Sequence, residues 1–119
     1  MAGSRGCRDG AGRTMMLHYT DDAVFKAIGS QVDWMFKASQ PPADRPFGVY
    51  FTTLRPDAHR FSARTRIPKL KQAFVFSFDG QTGLRPIEGD KGAYIFWSRV
   101  DYEVSKPRQR YHGPSEQLP

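Results

Sequence analysis

Cysteine is almost absent from this sequence, which contains a single one, Cys7. A lone thiol cannot form an internal disulfide, so the chain fits a reducing compartment and is not a disulfide-stapled domain. The three histidines lie far apart and no CxxC or HxxxH spacing is present, so we expect no metal site. Cys7 itself falls in residues 1–14, a glycine- and arginine-rich stretch that we expect to be a disordered basic leader, which argues against a cysteine nucleophile.

Long apolar runs and the common phosphate-binding motifs are missing as well. No run approaches the length of a membrane span, and the first residues lack the apolar segment of a secretory signal. We therefore expect an intracellular protein, in the cytoplasm or the nucleus, with no membrane partner. The absence of GxxxxGKS/T, GxGxxG and GxSxG patterns excludes the usual signatures of P-loop nucleotidases, dinucleotide-binding folds and α/β-hydrolases.

Acidic residues are few relative to basic ones. The chain has 12 Asp and Glu against 18 Lys and Arg, which gives a formal charge of +6 and a pI near 9.8. Much of the excess lies in a basic run between Arg55 and Lys71, where Asp57 is the one acid. Such a run is usually a solvated face, but it can also receive phosphate, so nucleotides and nucleic acid are the partners that the charge favours. The basic residues of this run are Arg55, Arg60, Arg64, Arg66, Lys69 and Lys71.

The sequence that remains is typical of one folded domain. Its 119 residues allow a single core, and 39% of them are apolar and 13% aromatic. Thr20 as N-cap and Gly29 as C-cap predict a helix over residues 21–28. Alternating or β-branched apolar stretches predict strands at 15–19, 47–53, 72–78, 93–97 and 100–104.

The connecting segments complete an α+β prediction. Residues 31–39 fit either another helical turn or a strand under the sheet, and we favour the helix. Residues 84–92 read as an irregular connection, and the polar, proline-containing residues 106–119 as a flexible tail. The folded domain is thus predicted to span residues 15–105, with one or two short helices and a mainly antiparallel or mixed sheet.

Two short motifs carry a family resemblance. His18-Tyr19-Thr20 leading into a helix, followed by Phe47-Gly48-Val49-Tyr50-Phe51-Thr52, resembles the ADP-ribosyltransferase superfamily, most closely the HYD-signature transferases found among polymorphic toxins. The Gly-Val-Tyr-Phe-Thr string is also similar to the tyrosine strand of the poly(ADP-ribose) polymerases. The resemblance extends over about residues 15–105 and implies a small, split β-sheet, NAD+ as the substrate and, for a toxin-like domain, a neutralising partner.

The resemblance also implies a role for each motif residue. His18 would hydrogen-bond the adenosine ribose, and the backbone of Tyr19 would hold the nicotinamide carboxamide. Thr20 would add a hydroxyl beside them, a role that competes with capping the helix. Tyr50 would stack on the nicotinamide ring, and Gly48 is counted with the NAD+-binding residues, because a glycine within a strand often marks a bulge or a close approach by a ligand or by another backbone.

The carboxylate that such enzymes use to stabilise the reacting ribose has no unique counterpart here. Alignment with the polymerase pattern puts Ala93 at that position. Glu103 and Asp101 on the last predicted strand match the toxin-like pattern, with Glu103 favoured because it lies between two apolar residues, and Asp90 is a third candidate. The alternative interpretation is that Asp101 and Glu103 are merely exposed strand acids.

The function that follows from the resemblance is mono-ADP-ribosyl transfer from NAD+ by a monomer, with NAD glycohydrolase activity as a side reaction. The acceptor is an unidentified protein or nucleic acid, for which the basic run offers a contact surface. The alternative is a catalytically inactive module of the same fold that binds NAD+ or nucleic acid. A relative that removes an RNA 2′-phosphate is less expected, because its arginine and histidine signature is not evident.

Overall fold

A six-stranded antiparallel sheet forms the centre of this fold, which a computed structural model describes over residues 15–41, 45–80, 82–87 and 94–119. The strands of these residues are β1 Met15–Thr20, β2 Trp34–Phe36, β3 Val49–Thr52, β4 Phe74–Asp79, β5 Arg85–Pro86, β6 Ile95–Ser98, β7 Tyr102–Val104 and β8 Gln109–Pro114. The order in the large sheet is β5-β6-β3-β1-β4-β8, and β2 pairs with β7 in a second, two-stranded sheet. The α+β prediction is confirmed.

The helices are short. Helix α1, Asp22–Gly29, begins after Asp21, whose side chain accepts a hydrogen bond from Val24 N–H at 3.0 Å. The prediction that Thr20 caps this helix is therefore wrong by one residue: Thr20 is the last residue of β1, and the carboxylate of Asp21 satisfies the exposed amide instead. The other helical segments are α2 Phe61–Thr65 and 3₁₀ turns at Lys69–Gln72, Lys106–Arg108 and Ser115–Gln117.

The favoured helix within residues 31–39 is also wrong, because this segment contains the strand β2. Trp34 and Phe36 are buried against the large sheet while Met35 between them is only partly buried, which is the period-two alternation of a strand. β2 pairs antiparallel with β7, so Trp34 lies opposite Val104 and Phe36 opposite Tyr102. The strand that the sequence offered as the alternative is the one that forms.

Residues 106–119 are not a flexible tail. They contain β8, which pairs with β4 along its length and places Gly113 opposite Val75. Arg55 holds the residues that follow β8, since its guanidinium donates to the carbonyl oxygens of Pro119 at 2.7 Å and of Leu118 at 3.0 Å. The folded unit therefore extends beyond residue 105, and the last strand is β8 and not the predicted strand at 100–104.

The other strand predictions correspond to β1, β3, β4, β6 and β7, with shifts of a few residues at their ends. The predicted irregular connection at 84–92 includes the two-residue strand β5, which pairs with β6. The predicted leader at 1–14 lies outside the described residues, as do Ala93 and Asp90.

The core has two parts because the central strands are buried on both faces. One part lies between the large sheet, α1 and the β2–β7 sheet, and the other lies under α2 and the loop that precedes it. The second contains Leu17, Leu54 and Phe61, and the first contains the aromatic cluster of Trp34, Phe36, Phe51, Phe76 and Phe78. In the part of the chain that the structure describes, no helix has the length and apolarity needed to cross a membrane.

Gly48, just before β3, is a point of close approach between two parts of the chain. A Cβ at this position would lie 2.6 Å from the Ser98 carbonyl oxygen and 2.9 Å from Cε3 of Trp97. The prediction that this glycine marks a close approach is thus met by protein atoms, since the indole of Trp97 lies against it. Any larger residue would force the backbone of β6 away.

We expect Gly48→Ala to lower the free energy of unfolding by about 1–3 kcal/mol, because the colliding oxygen belongs to a paired backbone and cannot move aside. Gly29→Ala is the matched control, since its nearest neighbour would be His112 Cδ2 at 3.5 Å, an ordinary contact. Urea denaturation of both variants measures the difference. Equal stability of the two variants would contradict the close approach at Gly48.

Candidate functional site

A cavity opens where the two central strands β1 and β3 separate. The strands are joined by the pair Leu17 and Thr52, and beyond it they part, although β1 continues to pair with β4 as far as Thr20. The resulting space, here called the β1–β3 cavity, has a volume of about 750 Å³ and is bounded by the two strands, α1, β2 and the segment around Arg66. The predicted motif residues His18, Tyr19, Thr20, Gly48 and Tyr50 all line it.

His18 bridges the gap between the strands. Its Nδ1 lies 3.0 Å from the carbonyl oxygen of Tyr50, and its ring packs against Phe36 and Phe51 with centroid distances of 4.8 and 5.4 Å. Burial lowers the pKa of His18 to about 4, which outweighs the opposite effect of the hydrogen bond to Tyr50. The imidazole is therefore neutral near pH 7. Because a carbonyl can only accept, Nδ1 carries the proton and Nε2 is a hydrogen-bond acceptor.

The peptide groups of Tyr19 are directed towards β3, that is, to the cavity side of β1. Pro114 has no N–H, so its pairing with Phe74 must be of the non-hydrogen-bonded type, and Val75 therefore bonds to β8. Alternation along the ladder then directs the peptide groups of Phe74 and Phe76 to β1, where they meet Thr20 and His18. The residue between those two, Tyr19, consequently directs its N–H and C=O to the other side.

Thr20 contributes its hydroxyl to the cavity wall. The residue is 4% exposed, and Asp21 performs the capping that competes for a hydroxyl at this position. The Thr20 hydroxyl has no hydrogen-bond partner within residues 15–41, 45–80, 82–87 and 94–119. It is thus available to a molecule that enters the cavity.

Tyr50 presents a ring that is already flanked by two groups. The ring is stacked at an interplanar angle of 11° beside Trp97, with centroids 5.8 Å apart, and the guanidinium carbon of Arg45 lies 5.4 Å from its centroid. Its hydroxyl donates to the Pro46 carbonyl at 2.6 Å, and burial raises the pKa of the Tyr50 phenol. The phenol stays protonated at neutral pH, and the Pro46 contact fixes the orientation of the ring.

The cavity wall is positively charged. Four of its residues are cations, and none of its described residues is an aspartate or a glutamate; the cations are Lys37, Arg45, Arg66 and Lys71. Arg66 ends α2 with a φ of 62°, a left-handed conformation that is costly for a residue with a side chain. Lys71 pairs with Asp21 at 3.4 Å, which connects the 3₁₀ turn to the start of α1.

The basic run is divided by the fold. Arg66 and Lys71 line the cavity, whereas Arg55 binds the carbonyls of Leu118 and Pro119, and Arg64 donates to the His59 carbonyl and lies over the Tyr94 ring. Lys37 and Arg45 were not predicted. The alternation of β2 could have indicated Lys37, which lies on the same face as Met35, but Arg45 depends on the path of a proline-rich loop.

The two candidate carboxylates of the late strand have different surroundings. Asp101 accepts a hydrogen bond from Ala38 N–H at 2.8 Å and lies 3.5 Å from Lys37 Nζ; the first of these contacts lowers the pKa of Asp101 the most. Glu103 lies opposite Met35, which lines the cavity, and has no hydrogen bond or ion pair with any residue that the structure describes. Neither carboxylate itself lines the cavity.

Among the described residues, no group of three or more His, Cys, Asp or Glu side chains is placed so that it could hold a metal ion. Comparison of the chain with protein families, with curated proteins and with solved structures finds no match.

The lowered pKa of His18 makes stability depend on pH. The unfolded imidazole, with its ordinary pKa of 6.5, takes up a proton before the folded one does, so the contribution of His18 to stability is fully present above that value and is lost as pH drops from 6.5 towards 4. The slope is about 1.4 kcal/mol per pH unit, and the total is on the order of 3 kcal/mol. His18→Asn keeps an N–H donor for the Tyr50 carbonyl and should flatten this part of the curve. Urea denaturation between pH 4 and 8 tests the prediction, and a parallel decline in both proteins would contradict it.

Proposed function

We propose that this chain binds NAD+ in the β1–β3 cavity and acts as a mono-ADP-ribosyltransferase. The observation that carries the proposal is that two motifs about thirty residues apart contribute His18, Tyr19, Thr20, Gly48 and Tyr50 to the wall of one cavity. A split between the two central strands is the feature that the resemblance implies, and the cavity lies in such a split.

The charge of the wall supports a dinucleotide as the ligand. NAD+ carries a pyrophosphate, and the cavity wall contains the cations Arg45, Arg66, Lys37 and Lys71. Lys37 and Lys71 also pair with Asp101 and Asp21, which lie outside the lining. The apolar part of the wall, which α1 and β2 provide, suits a flat base. A cavity of about 750 Å³ is within the range of sites for small molecules and cofactors.

The hydrogen-bonding groups match the two ribosyl ends of NAD+. His18 Nε2 would accept a hydrogen bond from an adenosine ribose hydroxyl, a role that requires the neutral ring. The Tyr19 peptide groups point to the side on which the nicotinamide carboxamide would bind, with the Thr20 hydroxyl next to them. The resemblance assigns Tyr50 to the nicotinamide ring, and in this structure Trp97 and the Arg45 guanidinium already flank the Tyr50 ring.

In the transfer step, the bond between ribose C1 and the nicotinamide nitrogen breaks, and its electron pair leaves with neutral nicotinamide. The acceptor nucleophile forms a new bond to C1, and its proton, if it carries one, passes to solvent. The positive charge that develops on the ribose needs a fixed negative group nearby. Glu103 is the candidate that the surroundings favour, because Asp101 is engaged by Ala38 and Lys37.

One observation favours the alternative of binding without turnover. The described lining residues include no carboxylate, and Glu103 lies outside them across from Met35. On this alternative the chain holds NAD+ by the same contacts but does not cleave it. The two proposals share their binding residues and differ in whether Glu103 acts.

Binding can be tested within the basic run itself. Arg66→Gln should weaken NAD+ binding about tenfold, because it removes a cation from the wall, and should reduce the dependence of the affinity on salt. Lys69→Gln is the matched control, since Lys69 is exposed and does not line the cavity. Isothermal titration calorimetry with NAD+ at two salt concentrations measures both variants. Equal affinities would mean that the cations of the wall do not hold the ligand.

Turnover separates the two proposals. We expect the full chain to release nicotinamide from NAD+, and Glu103→Gln to lower that rate about a hundredfold while NAD+ affinity stays within twofold. Asp101→Asn keeps an oxygen for Ala38 N–H and should retain most of the rate. Nicotinamide release is followed by chromatography. Binding of NAD+ with no release above background would favour the binding module over the transferase.

A further inference from the structure

A row of side chains leads from the β1–β3 cavity to the edge of the sheet. Tyr50 of β3 lies opposite Trp97 of β6, and Trp97 lies opposite Arg85 of β5. Direct cross-strand partners project from the same face of a sheet, so the three side chains are neighbours on one surface. Arg45, whose guanidinium lies over the Tyr50 ring, extends the row at the cavity end. The row therefore consists of Arg45, Tyr50, Trp97 and Arg85.

The two rings of this row are stacked in parallel, and the pair is here called the aromatic platform. Their planes are 11° apart with centroids separated by 5.8 Å, and both residues are partly exposed. Gly48 permits this arrangement, because the absence of a Cβ leaves room for the indole beside the β3 backbone. The hydrogen bond from the Tyr50 hydroxyl to Pro46 holds the second ring in place. A platform with so few free rotations loses little entropy when a planar group stacks on it.

Cations lie at both ends of the platform. Arg85 is exposed and has no ion pair or hydrogen bond with any of the residues described, and Arg45 lies at the other end next to the cavity. The row itself contains no acid, and the chain carries a net charge of +6. Stacked aromatic rings between cations are the arrangement that binds unpaired bases and their phosphates.

We propose that this row binds a single-stranded nucleic acid and that, on the function proposed above, this strand is the acceptor of ADP-ribose. Trp97 is the cross-strand neighbour of Tyr50, so a base stacked on Trp97 would lie next to a nicotinamide ribose held beside Tyr50. A nucleophile of that nucleotide, either a phosphate oxygen or a ring nitrogen, bonds to ribose C1 as nicotinamide leaves with the electron pair of the broken bond. A ring nitrogen that carries hydrogen releases it as a proton to solvent.

The aromatic platform favours a nucleic acid over an acidic peptide. A peptide carboxylate would need only the cations, which occur at many places on this surface, and would leave the two parallel rings without a function. An unpaired base has a flat face for the rings, and its phosphates complement Arg45 and Arg85. A duplex has its bases stacked internally and cannot use the platform without opening.

The test measures binding of a fluorescein-labelled 12-nucleotide thymidine strand to the full chain by fluorescence anisotropy at 50 and 200 mM salt. Trp97→Leu should weaken binding about tenfold, and Trp97→Tyr, which keeps an aromatic ring, should restore most of it. A plot of log affinity against log salt has a negative slope, and Arg85→Gln should reduce the magnitude of that slope by about 0.7, the contribution of one phosphate contact. Arg99→Gln is the matched control, because Arg99 is exposed and lies outside the row.

The same variants separate this inference from the proposed function. Arg85 does not line the cavity and lies one strand beyond Trp97, so Arg85→Gln should bind NAD+ with wild-type affinity. If NAD+ binds but the strand does not, or if the duplex or a polyglutamate binds as tightly as the single strand, the nucleic-acid surface is rejected and the proposed function stands. If the strand binds through Trp97 and Arg85 while NAD+ does not bind, the surface is supported and the acceptor role fails with the transferase.

Discussion

The contact on which this structure depends is the hydrogen bond between His18 Nδ1 and the Tyr50 carbonyl. In a continuous sheet, backbone amides would satisfy that carbonyl, and β1 and β3 would run side by side. Here an imidazole takes that position, so the strands remain linked while the backbone ladder ends at Leu17 and Thr52. A buried carbonyl without a partner is costly, and the side chain removes that cost without closing the gap.

The use of the His18 side chain in place of a backbone amide at the Tyr50 carbonyl determines the walls of the cavity. Because β1 keeps its full ladder with β4, only its β3 side opens, and the peptide groups of Tyr19 are directed there. α1 follows β1 immediately, since Asp21 caps it, and thereby encloses one side of the opening. The segment that contains Arg66 and Lys71 encloses another and brings positive charge to it. One side-chain hydrogen bond thus fixes both the shape of the cavity and the residues that it exposes.

The sequence predicts the strands that have a strong local hydrophobic pattern. It does not predict the strands that form only because a segment distant in the chain pairs with them. The strand containing Phe74, Phe76 and Phe78 is evident from its alternation. β2 is three residues long and fits either periodicity, so only its pairing with β7 makes it a strand. β8 is polar in sequence, and it becomes a strand because β4 offers an edge with unpaired amides.

The residues of the cavity likewise divide into those that the sequence motifs predict and those that only the folded structure identifies. The motifs predict His18 and Tyr50 on one cavity, but two residues of equal chemistry, Asp101 and Glu103, could not be separated until the Ala38 amide was seen to engage the first. Arg45 could not be predicted, because the position of a proline-rich loop depends on the whole fold. The fold class follows from the sequence, whereas the roles of individual residues towards NAD+ stay predictions.

The central position of β1 has a consequence for folding kinetics. Its partners lie far along the chain: His18 meets a carbonyl 32 positions away, and Met15 pairs with Asp79. Closing such loops must precede the contacts that β1 makes with β3 and β4, so high contact order predicts folding in milliseconds to seconds rather than microseconds. The cavity needs β1, β3 and the later segments together, so we expect it to form late in folding. A ligand that binds only the complete cavity would slow unfolding without accelerating folding, because it would stabilise the native state and not a transition state in which the cavity is incomplete.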